Sequence, residues 1–153
     1  MASHSISFQL NGESHTANVS PRELLTDVLR DKASIKSVRF GCEEGACGSC
    51  TIEMDGQTVK SCMIPAVRAN GKSISTIEGS DLSEITRKVQ AAFASCHALQ
   101  CGYCTSGMIM SAANLLKKNS GNNLTDDEIK NGIAGNICRC TGYNLSLIHI
   151  SEP

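Results

Sequence analysis

Eight of the nine cysteines fall into two groups of four, and this spacing constrains the chain more than any other feature. The first group places three cysteines in a short loop and one further on: Cys42, Cys47, Cys50 and Cys62. The second group is a C-x2-C pair followed by a distant C-x-C pair: Cys101, Cys104, Cys138 and Cys140. Four thiolates can bind a metal centre, and such centres stabilise small domains whose apolar cores are modest. We therefore predict two thiolate metal centres in one chain.

The length and composition of the chain exclude several classes of protein. A chain of 153 residues holds one ordinary domain or two small ones. A net charge of −1 provides no basic surface for nucleic acid. The sequence shows no secretory signal and no apolar run long enough to cross a membrane. We expect a cytoplasmic protein, a compartment in which clustered cysteines more often bind metal than form disulfides.

The N-terminal half carries the signals of a small mixed sheet around one helix. Three turn dipeptides, Asn11-Gly12, Asp55-Gly56 and Asn70-Gly71, predict hairpins between alternating apolar segments. The segment Ser20–Glu23 resembles a helix capping box, with proline at the first helical position. An apolar stripe continues from it at helical spacing: Leu24, Leu25, Val28 and Leu29. We predict an α+β domain over residues 1–76.

The C-terminal half carries only helix signals. Apolar residues recur at helical spacing in two segments, and Thr125–Glu128 forms a second capping-box pattern. We predict a separate helical domain over residues 80–144, so that each domain contains one group of four cysteines.

The first group of cysteines has the spacing of plant-type 2Fe–2S proteins. Three glycines in the same loop allow the backbone to wrap closely around a cluster and to point N–H groups at its sulfurs. A tetrahedral zinc site is the alternative, although structural zinc sites usually use two short cysteine pairs. Disulfides or free thiols are the remaining possibilities. For the second group, the spacing alone is also compatible with a zinc site, because C-x2-C is the commonest half of such a site.

Three motifs in order resemble the small iron–sulfur subunit of the molybdenum hydroxylases. They are the Gly-Cys…Cys-Gly-x-Cys-Thr loop over 41–51, the Gln-Cys-Gly-x-Cys-Thr segment over 100–105, and the Cys-Arg-Cys-Thr-Gly-Tyr segment over 138–143. The family includes xanthine dehydrogenase, aerobic carbon monoxide dehydrogenase and aldehyde oxidoreductase. The resemblance covers residues 4 to about 143.

The resemblance implies a β-grasp 2Fe–2S ferredoxin domain followed by a four-helix 2Fe–2S domain. The cluster nearer FAD would be bound by Cys42, Cys47, Cys50 and Cys62. The cluster nearer molybdenum would be bound by Cys101, Cys104, Cys138 and Cys140. Gln100 and Cys140 would also contact the pterin of the molybdenum cofactor, which belongs to a partner subunit.

The function implied by the resemblance is electron transfer, with no catalytic residue on this chain. Single electrons would pass from a large molybdopterin-binding subunit through both clusters toward a medium FAD-binding subunit. The first alternative is a stand-alone ferredoxin with two clusters. The second is an interaction module stabilised by zinc.

Some residues near the motifs have simpler interpretations. Cys96 continues an apolar helix stripe, so we expect it to pack in the core as a small apolar residue. Met108 and Met110 are expected to pack rather than to bind metal. Glu43 and Glu44 could lower the reduction potential of the first cluster, but as solvated loop carboxylates they would contribute little.

The C-terminal segment 145–153 has an unusual interpretation. One permitted codon choice, CTG TCT CTT ATA CAC ATC TCC GAG CCC, matches a common transposase sequencing adapter read in frame. We therefore expect this segment to be a library artefact that replaces the last helix of the second domain. The alternative is a natural amphipathic tail.

Overall fold

The computed structural model describes residues 3–79, 82–119, 124–141 and 143. A mixed β-sheet comes first and helices follow, so the predicted α+β class is confirmed. Within the described residues, no helix is both long and apolar enough to cross a membrane. The segment 145–153 lies outside the described residues, and its origin stays a prediction.

Five strands form one sheet in the order β2-β1-β5-β3-β4. The strands are β1 (His4–Leu10), β2 (Glu13–Val19), β3 (Thr51–Met54), β4 (Gln57–Lys60) and β5 (Ser73–Ser75). Strands β1 and β5 pair in parallel, while the other neighbours are antiparallel. The loop with the first three cysteines leads into β3, and the fourth cysteine follows β4.

Two of the three predicted hairpin turns are confirmed. Asn11 and Gly12 both have positive φ, at 53° and 85°, as a type I′ turn requires. Asp55 and Gly56 repeat this geometry at 49° and 81°. The hairpin predicted at Asn70-Gly71 is wrong, because this turn joins a 3₁₀ segment (Ala66–Ala69) to β5. Strand β5 then pairs with β1 and β3, neither of which is its neighbour in sequence.

The helix of the first half is shorter than predicted. Residues 21–23 form a turn, and helix α1 (Leu25–Asp27) continues as a π-helical turn over Val28–Lys32. The Ser20 N–H donates to the Glu23 carboxylate at 2.9 Å, but Leu24 is extended and bridges to Pro65. That bridge delays the helix. Its apolar residues still pack against the sheet, where the buried side chains include Ile6, Phe8, Leu25, Val28, Leu29, Ile52 and Ile74.

Three helices follow residue 80 within the described part of the chain. They are α2 (Glu84–Ser95), α3 (Thr105–Lys118) and α4 (Asp126–Ile133). The capping box at α4 is confirmed, since Thr125 and Glu128 each bind the other's backbone N–H. The helices share a second apolar core, whose buried residues include Val89, Phe93, Met108, Ile109, Ala112, Ile129 and Ile133. The fourth helix and its loss stay predictions.

Helix α3 lies along the β3–β4 hairpin and joins the helical part to the sheet. The Asn114 side-chain amide donates to the Gly56 carbonyl at 3.1 Å. Lys117 and Glu53 form an ion pair at 2.7 Å, with both side chains largely shielded from solvent. These contacts fix the C-terminal half of α3 against the hairpin, while Gly107 in its first turn packs against the Gly48 carbonyl of the first cysteine loop.

Candidate metal centres

The β3–β4 hairpin brings the four cysteines of the first group together. Cys42 and Cys47 lie in the loop, Cys50 directly precedes β3, and Cys62 lies in the 3₁₀ turn after β4. The Sγ atoms of Cys50 and Cys62 are 3.3 Å apart and buried. The hairpin thus returns the fourth cysteine to the loop, as its position in the sequence predicts.

Backbone N–H groups point at one thiol of this group, that of Cys42. The N–H groups of Ala46 and Cys47 both point at the Cys42 Sγ from 3.2 Å. Hydrogen bonds from the backbone of Glu44 and then of Cys47 lower the pKa of Cys42 to about 7. Burial instead raises the pKa of Cys62 to about 11. Donors that stabilise a thiolate also stabilise the negative sulfur ligands of a cluster.

The second group combines two cysteines at the start of α3 with two cysteines in the segment that follows α4. Cys104 is the residue before α3, and the Sγ atoms of Cys101 and Cys140 are 3.5 Å apart. Burial raises the pKa of Cys104 to about 12, whereas the Tyr103 backbone N–H lowers the pKa of the exposed Cys101. One thiol of each group is therefore enclosed in protein, and another lies near the surface.

The residues after Cys138 hold its thiol in place. The Thr141 backbone N–H and hydroxyl lie 3.4 Å and 3.2 Å from the Cys138 Sγ. The Tyr143 hydroxyl accepts a hydrogen bond from the Cys138 N–H at 2.8 Å and donates to the Asn136 carbonyl at 3.2 Å. Thr141 and Tyr143 of the third motif thus position the Cys138 thiol.

The thiols of each group approach one another in pairs. Besides the two pairs above, side-chain interactions join Cys42 to Cys47 and Cys104 to Cys138. A 2Fe–2S cluster takes two ligands on each of two irons, whereas zinc takes all four on one ion. The paired donor set therefore fits a 2Fe–2S cluster.

The two groups meet at a closely packed junction. The Ile137 N–H donates to the Cys47 carbonyl at 2.8 Å, which links a cysteine of the first group to the neighbour of Cys138. The Asn136 side-chain amide donates to the Gly48 carbonyl at 3.1 Å. A Cβ added to Gly107 would overlap that same carbonyl. No sequence motif marks Asn136 or Gly107 as junction residues, because their partners lie far away in the sequence.

An exposed face surrounds the outer thiols of the second group. Gln100 donates from its side-chain amide to the Cys140 carbonyl at 3.2 Å, so the two predicted pterin contacts lie together. Cys101 and Cys140 are exposed. Among the described residues the exposed large hydrophobic side chains are Met63, Leu99, Tyr103 and Ile137, each within two positions of a cysteine of the two groups. A contiguous apolar patch is typical of surfaces that partners cover, whereas single exposed apolar side chains are common.

Cys96 lies away from both groups. It follows the last residue of α2, is half-buried, and has its Sγ 3.4 Å from the Ser95 hydroxyl. The expectation that it packs in the core is wrong, since Cys96 is not among the described residues that form either apolar core. Met108 and Met110 are buried, as predicted.

Glu43 and Glu44 are both exposed in the first loop, so water and ions screen their charges. We therefore expect the double variant Glu43→Gln, Glu44→Gln to leave the reduction potential of the first cluster unchanged. Potentiometric EPR titration of the variant and the native protein measures it. A clearly higher potential in the variant would show that these carboxylates tune the cluster.

Sequence comparison identifies both halves of the chain. Residues 8–72 match the family described as "2Fe-2S iron-sulfur cluster binding domain". Residues 76–147 match the family described as "[2Fe-2S] binding domain". The two matches correspond to the two groups of cysteines, one in each half, so the chain contains two domains of the 2Fe–2S-binding kind.

Relatives and solved structures extend the similarity to nearly the whole chain. The 6-hydroxypseudooxynicotine dehydrogenase complex subunit beta of Paenarthrobacter nicotinovorans is 44% identical over 138 residues, which cover 90% of this chain and 86% of the relative. The xanthine dehydrogenase iron-sulfur-binding subunit of Escherichia coli O157:H7 is 41% identical, with coverages of 89% and 85%. A chain of quinoline 2-oxidoreductase from Pseudomonas putida 86 superposes with a TM-score of 0.90 at 40% identity, with coverages of 99% and 92%. The chain therefore belongs to the family of small iron–sulfur subunits of the molybdenum hydroxylases.

Proposed function

We propose that the eight paired cysteines bind two 2Fe–2S clusters and that the chain conducts electrons inside a molybdenum hydroxylase. Cys42, Cys47, Cys50 and Cys62 would bind the first cluster. Cys101, Cys104, Cys138 and Cys140 would bind the second. The observation that carries this proposal is the pairing of thiols in both groups, with the Ile137–Cys47 hydrogen bond between them.

Bound clusters would supply one-electron redox chemistry, and the residues of this chain set the conditions for it. Backbone N–H groups directed at the Cys42 Sγ favour added negative charge there. Thr141 and Tyr143 fix the orientation of Cys138. The packing of Asn136 and Gly107 on Gly48 would hold the two centres close together, which electron exchange requires.

We propose that the exposed face with Gln100 and Cys140 docks on the large molybdopterin-binding subunit. Electrons would reach the second cluster there, next to the pterin. Beside the first group of cysteines lies Met63, which is 55% exposed, follows Cys62 and lies near Gly45. This region would face the FAD-binding subunit, where electrons leave. Substrate would be oxidised in the large subunit and not on this chain.

The finer architecture belongs to the same proposal. Residues 1–76 would form a β-grasp domain, since the mixed sheet packs on α1. Residues 80–144 would form a helical domain that a fourth helix completes to a four-helix bundle in the native protein.

The test is anaerobic isolation of the chain together with its partner subunits. We expect about four irons and about four acid-labile sulfides per chain, and two rhombic EPR signals after reduction with dithionite. Molybdopterin and flavin should co-purify. A colourless protein that contains zinc would overturn the proposal, and a two-cluster protein without partners would support the stand-alone ferredoxin.

A further inference from the structure

We propose that Lys60 is a built-in positive charge that raises the reduction potential of the first cluster and so makes that cluster the better electron acceptor of the two. This inference rests on the function proposed above. It concerns a side chain that is neither a ligand nor part of a cysteine motif.

Lys60 lies where the two metal centres meet. It is the last residue of β4, two positions before Cys62, and its side chain is half-buried. The ammonium donates to the Thr51 hydroxyl at 2.8 Å and to the Gly135 carbonyl at 3.1 Å. The Thr51 hydroxyl in turn donates to the Gly48 carbonyl at 2.6 Å. The ammonium is thus held by both halves of the chain.

Both of these hydrogen-bond acceptors are uncharged. None of the ion pairs found among the described residues includes Lys60. Burial lowers the pKa of Lys60, and attraction to the thiolates of the first group acts in the opposite direction and favours its charged form; these thiolates are Cys50, Cys47, Cys62 and Cys42. A partly buried charge is costly without an opposite charge nearby. The four thiolates of a bound cluster would supply that opposite charge.

The sign of the effect on the potential follows from the charge. Reduction adds one electron to a centre that four thiolates already make negative, so a nearby cation stabilises the reduced form more than the oxidised form. Glu43 and Glu44 differ from Lys60 because both are exposed, and solvent screens exposed charges far more strongly than shielded ones. Lys60 therefore biases electron flow from the second cluster toward the first.

The test compares three variants of Lys60 in the assembled complex by potentiometric EPR titration of both clusters. Lys60→Gln and Lys60→Met remove the charge, and Lys60→Arg keeps it. We expect the two neutral variants to lower the reduced-to-oxidised ratio of the first cluster about tenfold at a fixed potential, which is a shift of about 59 mV to more negative values. In the Lys60→Arg variant, the reduction potential of the first cluster should shift by less than a third of that amount. In all three variants, the reduction potential of the second cluster should change less than that of the first.

Lys88→Gln is the matched control, because it removes one positive charge from an exposed position on α2, where Lys88 pairs with Glu84 at 3.2 Å. It should leave both potentials unchanged. The proposal is overturned if the neutral variants do not shift the first cluster, shift both clusters equally, or shift no more than Lys60→Arg. It is also overturned if, of the three variants, only Lys60→Arg retains the first cluster. The charge would then be needed for cluster assembly rather than for setting the reduction potential. Absence of both EPR signals from the native complex would instead refute the proposed function.

Discussion

Replacing Cys104 by alanine is expected to remove the second cluster and to lower electron delivery through the complex more than about a hundredfold. Loss of a group that merely supports a metal ligand already costs about 10–100-fold, so loss of a ligand costs more. Cys104 is enclosed beside Cys138, and burial raises its pKa to about 12, so metal binding is what would make it a thiolate. EPR of the reduced complex should show the first signal and lack the second. Turnover with an artificial acceptor gives the loss of rate.

Cys96→Ser is the matched control for this prediction. Cys96 is a cysteine of the same helical region, but it lies half-buried at the end of α2, with its Sγ beside the Ser95 hydroxyl. Serine has nearly the same size, so we expect both EPR signals and the iron content to stay unchanged. Retention of the second signal in Cys104→Ala, or its loss in Cys96→Ser, would show that the eight ligands are assigned incorrectly.

The sequence predicts those parts of the molecule that are determined by neighbouring residues. The Asn11-Gly12 and Asp55-Gly56 turns form as expected, because their geometry depends on two residues that tolerate positive φ. The capping box at Thr125 is equally local. The cysteine spacing predicts which thiols come together, and the Sγ pairs Cys50–Cys62 and Cys101–Cys140 do lie close, while their binding of clusters stays a prediction.

Contacts between distant residues account for what could not be predicted. Leu24 pairs with Pro65 and delays the helix that its own neighbours favour. The Asn70-Gly71 turn leads into the three-residue strand β5, which pairs with β1 and β3. Pairing with these distant strands replaces the hairpin that the turn residues predict. Lys60 and Gly135 are 75 positions apart, and they meet because the segment 135–137 packs against the first cysteine loop.

The Gly48→Ala variant is expected to lose about 2–5 kcal/mol of the free energy of unfolding, because Gly48 combines two constraints. Its φ is +76°, a conformation that costs a residue with a Cβ about 1–2 kcal/mol. A Cβ there would also overlap the Gly135 carbonyl and the Asn136 side chain, and overpacking of this kind costs about 1–3 kcal/mol. The urea midpoint for loss of visible cluster absorption, measured anaerobically, should fall accordingly.

Gly56→Ala separates the two constraints. Gly56 has nearly the same φ, +81°, but among the described residues no atom lies within 4 Å of an added Cβ. It should therefore show only the backbone cost of about 1–2 kcal/mol. The difference between the variants measures how rigidly the segment 135–136 is held against the first cysteine loop.

Because the Ile137–Cys47 hydrogen bond lies at the same contact, Gly48→Ala should also weaken the magnetic interaction between the two reduced clusters, whereas Gly56→Ala should not. Equal midpoints and equal EPR spectra would mean that the junction yields to an extra methyl group, and a rigid spacing of the two centres could not then be attributed to Gly48.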